Sequence, residues 1–236
     1  MRCLTLLLIL SVALPIYAAR QASRLVAPPP GATLPISLAK TMKAQKLTVG
    51  QLVTARLFQR VLLRDGTYLP GKVDIVGHIV SSGPSSLSIL FTQLRWKGQT
   101  VPIHVRLVAA ASAHNVYQTT LPVGGTDRGT SNPADWTTRQ VGGDEVYLSA
   151  GSGRVYDQYS QPVGYADFDG VYADPASAGE LPRAMGPFST TATGLHGLPG
   201  FSIISPGDGE TPITLGVSKP KWQIASGGAL LLEVVR

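Results

Sequence analysis

Cysteine is nearly missing from this chain. The single thiol, Cys3, sits in the apolar opening stretch. The remainder therefore has no disulfide and no cysteine-ligated metal site, and its stability must come from burial and strand pairing. Charge is also sparse, at 14% of 236 residues, whereas Gly (26) and Pro (18) are frequent. That balance favours turns and short strands over long amphipathic helices. Catalytic signatures are missing too. There is no Gly-x-Ser-x-Gly elbow, because Ala150-Gly-Ser-Gly153 is only a glycine-rich turn. There is no His-Glu-x-x-His, and His104 and His114 have no ligand spacing. His78 and His104 fall on the polar phases of expected strands, where a solvated histidine is ordinary. Asp167-Phe-Asp-Gly170 matches part of a calcium loop, but the third loop acid is absent and Ala178 stands where the bidentate Glu belongs. No catalytic residue, metal or cofactor is assigned.

What is present starts with an export signal. Arg2 supplies a positive n-region, Leu4 to Leu14 an apolar core broken by Thr5 and Ser11, and Pro15-Ile16-Tyr17-Ala18 a cleavage region. The core is shorter than the ~20 residues of a membrane span. Residues 1–18 are expected to be removed, and the protein to be periplasmic, envelope-associated or secreted. Residues 19–32 read as a linker whose Ala27-Pro-Pro-Pro-Gly31 favours extended geometry.

The organising stretch is residues 50–80. Val53, Ala55 and Leu57 alternate with Thr54, Arg56 and Phe58, and Val73, Ile75, Gly77 and Ile79 with Lys72, Asp74, Val76 and His78. Period-two alternation marks half-buried strands. Asp65-Gly66 predicts a primed hairpin turn, Pro70-Gly71 a second turn and Lys97-Gly98 a third. Leu34-Pro-Ile-Ser-Leu38, residues 87–92 and residues 101–107 read as further strands, with Pro102 at a strand start or edge. Leu, Ile, Val and Phe make 28 of the 79 residues from 33 to 111, but only 17 of the 97 from 112 to 208. The first density suits a sheet with a buried face; the second borders on what cannot bury a core. Within it, Tyr165-Ala-Asp167 and Tyr172-Ala-Asp174 repeat, and Val146-Tyr147 resembles Val155-Tyr156, which predicts short hairpins. Order returns with Ile213, Leu215, Val217, Trp222, Ile224 and the closing run Ala229-Leu-Leu-Leu-Glu-Val-Val235. The expected fold is therefore mainly β, a small antiparallel barrel or sandwich. Residues 33–111 form its first part, 112–208 an acidic Gly/Tyr-rich insertion and 209–236 the strands that complete it.

Charge is segregated. Residues 19–110 carry 12 Lys/Arg against Asp65 and Asp74, and residues 111–210 carry 4 Arg against 11 Asp/Glu. Lys40, Lys43, Lys46, Arg56, Arg60 and Arg64 are candidates for a basic face toward an envelope protein or an anionic glycan or lipid surface. Export argues against nucleic acid, and the oligomeric state is left open. Tyr147, Tyr156, Tyr165 and Tyr172, with Asp167 and Asp169, are candidates for a sugar-binding surface, against the plainer reading of tyrosines packed across hairpins. The enzymatic alternative is a carbohydrate-active site using carboxylates among Asp144, Glu145, Asp157, Asp167 and Asp169. The favoured expectation is a non-enzymatic binding or scaffold component.

Gly50-x-x-Val53-x-Ala55, then Val61, Leu69-Pro70 and Ile75-Val-Gly77-His-Ile79, resemble the β-barrel domain of TrbI-type conjugation proteins of type IV secretion systems and uncharacterised exported bacterial proteins sharing it. In that pattern the turn reads Pro-Lys-Gly; here it reads Pro70-Gly71-Lys72. The resemblance implies a barrel fold and an envelope setting.

Overall fold

Alternating apolar residues become strands wherever a neighbour can pair with them. The computed structural model describes residues 25–121, 138–147, 153–157, 159, 161–167 and 170–236. Its strands are β1 (Thr33–Leu38), β2 (Met42–Lys43), β3 (Leu52–Leu57), β4 (Val61–Leu62), β5 (Tyr68–Leu69), β6 (Asp74–Ser82), β7 (Ser86–Trp96), β8 (Gln99–Pro102), β9 (Val105–Ala111), β10 (Thr138–Gln140), β11 (Gly143–Tyr147), β12 (Gly153–Tyr156), β13 (Pro162–Asp167), β14 (Gly170–Ala173), β15 (Arg183–Ala184), β16 (Gly194–His196), β17 (Phe201–Ser205), β18 (Ile213–Val217), β19 (Gln223–Ile224) and β20 (Ala229–Val234). A short helix, α1 (Ala113–Thr119), follows β9, capped by the Ser112 hydroxyl, which accepts from the Asn115 amide.

The fold is mainly β, and its main sheet curls into a nearly closed barrel. The strand order is β16–β9–β20–β1–β3–β6–β7–β18–β17, with β8 also on β7. β20 lies antiparallel between β1 and β9. Closure depends on the 99–111 stretch, which changes partner midway. β8 pairs with β7, the Ile103 amide still donates to Thr92 O, and β9 then pairs with β20. The path β20–β1–β3–β6–β7–β8/β9 thus returns to its start. Alternate residues point inward and fill the interior, among them Leu34, Ile36, Ile75, Phe91, Leu94 and Leu232. Burying one such side chain contributes about 1.5–3 kcal/mol.

Two local expectations need correction. Asp65-Gly66 is not a primed turn. The Gly66 amide donates to Leu63 O, and only Gly66 of the pair has positive φ (+78°). The result is a three-residue loop with a left-handed glycine, the common hairpin alternative. Asp65 favours it by accepting from the Thr67 amide and hydroxyl at 2.9 and 2.6 Å. The primed geometry occurs instead at Lys97-Gly98, both at positive φ (46° and 79°), joining β7 to β8. The expected strand over 101–107 is likewise broken at Ile103 and His104, where pairing switches from β7 to β20.

The segment after α1 forms a second antiparallel sheet, β10–β11–β12–β13–β14–β15. The repeated Tyr-Ala-Asp units are the two arms of its β13–β14 hairpin, with Tyr165 opposite Tyr172. This sheet shares its core with the barrel's outer surface. Val141, Val155, Val171, Met185 and Phe188 pack on Ala109, Ala111, Ala229 and Leu231. The small alanines let the two layers approach, and β20 becomes buried on both faces. Gln59, 2% exposed, clips the layers together. Its amide donates to Val171 O at 2.9 Å, and its carbonyl accepts from the Val171 and Gly186 amides at 3.2 and 2.8 Å. The chain rejoins the main sheet at β16, parallel to β9, ahead of the 208/209 boundary read from composition. β16 and β17 therefore belong to the barrel sheet, not to the inserted layer.

Candidate functional site

The tyrosine cluster is structural at its centre. Tyr172 is fully buried, stacks on Tyr165 with ring centroids 5.0 Å apart, and donates its hydroxyl to Arg60 O at 3.0 Å. Burial raises the Tyr172 pKa and, to a lesser degree, that of Tyr165. As a binding residue Tyr172 is corrected: no face of it reaches solvent. Tyr165 and Tyr156 are half-buried on β13 and β12. The Tyr147 backbone pairs with Val155; its side chain and Asp169 lie outside the described residues, as do the side chains of Asp144 and Glu145. Of the candidate carboxylates, Asp167 and Asp157 hold turns. Asp167 accepts from the Gly170 amide at 3.1 Å, and Asp157 accepts from the Tyr159 and Gln161 amides at 2.9 and 2.8 Å. Among the described residues no three of His, Cys, Asp and Glu gather as metal donors.

The six basic candidates stand in different local settings. Arg56 spans the β3–β6 pair to Asp74 at 3.1 Å, and Arg95 approaches the same carboxylate at 3.9 Å. The Arg60 guanidinium lies 4.6 Å from the Tyr68 ring centroid on the β4–β5 hairpin. Arg64 lines a separate recess with Pro30, Glu180 and Arg183. Lys40 is exposed beyond β1.

Lys43 and Lys46 have a different setting. The two-residue β2–β19 ladder sets Lys43 opposite Gln223, and the Ala44 amide donates to Trp222 O at 3.2 Å. This pairing joins the early lysines to a late group, Lys219-Pro-Lys221-Trp222. Two hollows result, with Lys221, Trp222 and Gln223 as their shared wall. The smaller, ≈ 180 Å³, is edged by Lys43, Lys46 and Lys221. The larger, ≈ 320 Å³, lies between the start of α1, the 197–201 turn and residues 217–225. Its lining is mostly apolar, with Leu198, Pro199, Phe201, Val217 and Trp222, and Lys219, Lys221 and His114 stand on it. Trp222 is fixed by its indole N–H, which donates to Gly83 O at 3.1 Å, and by an edge-to-face contact with Phe201. Among the described residues no carboxylate lines either hollow.

Lys219, Lys221, Trp222, Phe201 and His114 were missed as a group by sequence reasoning. The Lys-Pro-Lys-Trp run was the only local signal, and a two-residue ladder leaves no periodicity that would join it to Lys43.

Fold and site together define a β-barrel-like protein carrying a docked second sheet and a lysine-edged apolar recess. No protein-family model and no curated protein matches the sequence.

Proposed function

We propose that this is an exported, non-enzymatic component of the cell envelope or extracellular space that works as a binding or scaffold module. The observation carrying the reading is the lysine-edged recess beside Trp222, placed outside a barrel whose interior is filled with side chains. A packed interior offers a ligand little room, so recognition falls to the surface. An apolar recess with few polar groups at its margin is the usual form of a binding site. The turn-holding roles of Asp157 and Asp167 favour this over carbohydrate hydrolysis, which needs a pair of free carboxylates flanking the bond. The apolar opening stretch supports export, and the resemblance of residues 50–80 to TrbI-type barrel domains supports an envelope setting.

Fractionation of the native cell, N-terminal sequencing and co-purification from the envelope test the reading together. The expected result is a chain beginning near Ala19 outside the cytoplasm, held with a reproducible partner. A cytoplasmic chain retaining Met1 would overturn the placement, and glycoside hydrolysis by the purified protein would overturn the non-enzymatic assignment.

A further inference from the structure

Building on that binding reading, we propose that the two hollows beside Trp222 receive an acidic, extended polypeptide segment of a partner protein, one of whose large apolar side chains enters the larger hollow. Charge complementarity carries the first half. Lys43, Lys46, Lys219 and Lys221 edge two hollows that share Lys221, Trp222 and Gln223, and among the described residues no carboxylate lines them. Among the described ion pairs all cations are arginines, so none of the four lysines is neutralised within the described fold. Cations clustered this way attract and orient an oppositely charged partner and reject a basic one.

The shape carries the second half. The apolar wall is recessed, with Trp222 5% and Val217 8% exposed, while the lysines stand out around it. A membrane surface is bound by apolar side chains that protrude into the headgroup boundary; a bilayer laid on this face meets the lysines but not the wall. A polyanionic glycan satisfies the lysines and brings no apolar group to the Leu198–Phe201–Val217 lining. An acidic peptide with one bulky apolar residue uses both. The larger hollow, ≈ 320 Å³, is at the low end of ligand pockets, ~300–1,000 Å³, a size for a side chain or two.

The test uses the full chain and four probes. They are a fluorescein-labelled peptide Glu-Asp-Phe-Leu-Asp-Glu, its analogue with Phe and Leu changed to Ser, dextran sulfate, and vesicles of equimolar phosphatidylcholine and phosphatidylglycerol. The labelled peptide is expected to bind with an affinity that falls as salt rises. The serine analogue should bind about tenfold or more weakly, as expected when a buried Phe is lost. Reversing exposed charges, Lys219→Glu with Lys221→Glu and separately Lys43→Glu with Lys46→Glu, should each weaken the peptide about tenfold, with circular dichroism unchanged. Equal binding of peptide and serine analogue, or no effect of either double reversal, overturns the proposal. Dextran sulfate or vesicles binding where the peptide does not also overturns it, in favour of a polyanion or a membrane. Failure of these probes beside continued envelope co-purification rejects the peptide chemistry alone; loss of co-purification rejects the binding reading beneath it.

Discussion

Single residues carry much of the local geometry. Lys72, at the end of the Pro70-Gly71-Lys72 turn, takes φ +66°. A left-handed backbone costs a residue with a Cβ about 1–2 kcal/mol, while glycine adds about 0.5–1 kcal/mol of unfolded-state entropy. Lys72→Gly should therefore stabilise the protein by about 0.5–1 kcal/mol. Gly66→Val, at φ +78°, should do the reverse and cost about 1–3 kcal/mol. Thermal melts of the two variants should move in opposite directions; equal shifts would show that backbone handedness is not what matters there. Tyr172 gives a pH prediction. Tyr172→Phe loses the bond to Arg60 O and should cost about 0.5–1.5 kcal/mol at neutral pH. Burial holds the folded phenol's pKa above its unfolded value of about 10. As pH rises past that value the unfolded chain loses its proton first, so the folded state loses stability. The Phe variant lacks that titration. The gap between wild type and variant should narrow between about pH 9 and 11; parallel denaturation curves across that range would refute it.

At the scale of elements, the period-two pattern made most barrel strands legible, because each has one face in the core. The unbroken alternation across residues 101–107 hid the break at Ile103 and His104, since a strand can change partner without changing which side chains face inward. Gly77 was legible as part of a motif, and the structure supplies its reason. A Cβ there would lie 2.4 Å from Leu90 O and 2.8 Å from Phe91 Cα, where β6 and β7 approach at a bulge. The inserted sheet was half legible. Its Tyr-Ala-Asp repeat pointed to a hairpin, but its docking surface, Ala109, Ala111 and Ala229, consists of residues too small to announce a second core. Gln59 carried no signal in the sequence, though it is the clip between layers. Gln59→Ala removes three hydrogen bonds and leaves backbone groups of buried Val171 and half-buried Gly186 without those partners. It should cost about 2–4 kcal/mol. Amide exchange should accelerate first at Val171, Met185 and Gly186, with β3 and β6 still protected. Uniform acceleration through both layers would mean that the sheets unfold as one unit and that Gln59 is not a local clip.

At the scale of the molecule, the ends of the chain hold the barrel together. Residues 211–236 number 26, and pieces below about 40 residues rarely fold alone without disulfides, metals or oligomerisation. Their strands are threaded through the main sheet rather than laid on it. β20 separates β1 from β9, and β18 joins β7 to β17. Ending the chain before Thr211 would expose the facing edges of β1 and β9 and empty the interior of Leu215, Leu230 and Leu232. Sequence reasoning alone would place the excisable piece at residues 112–208, but β16 and β17 pair within the barrel sheet, so the better excision runs from 120 to 192 with a flexible linker across the gap. That deletion bares the apolar outer faces of Ala109, Ala111, Ala229 and Leu231. It should leave a cooperative β-protein of lowered melting temperature and greater tendency to self-associate. The shortened chain ending at Glu210 should instead lose cooperative unfolding altogether. Far-UV circular dichroism and thermal melts of both decide the matter: a chain without residues 211–236 that melts like the intact protein would show that β18 and β20 do not hold the barrel closed.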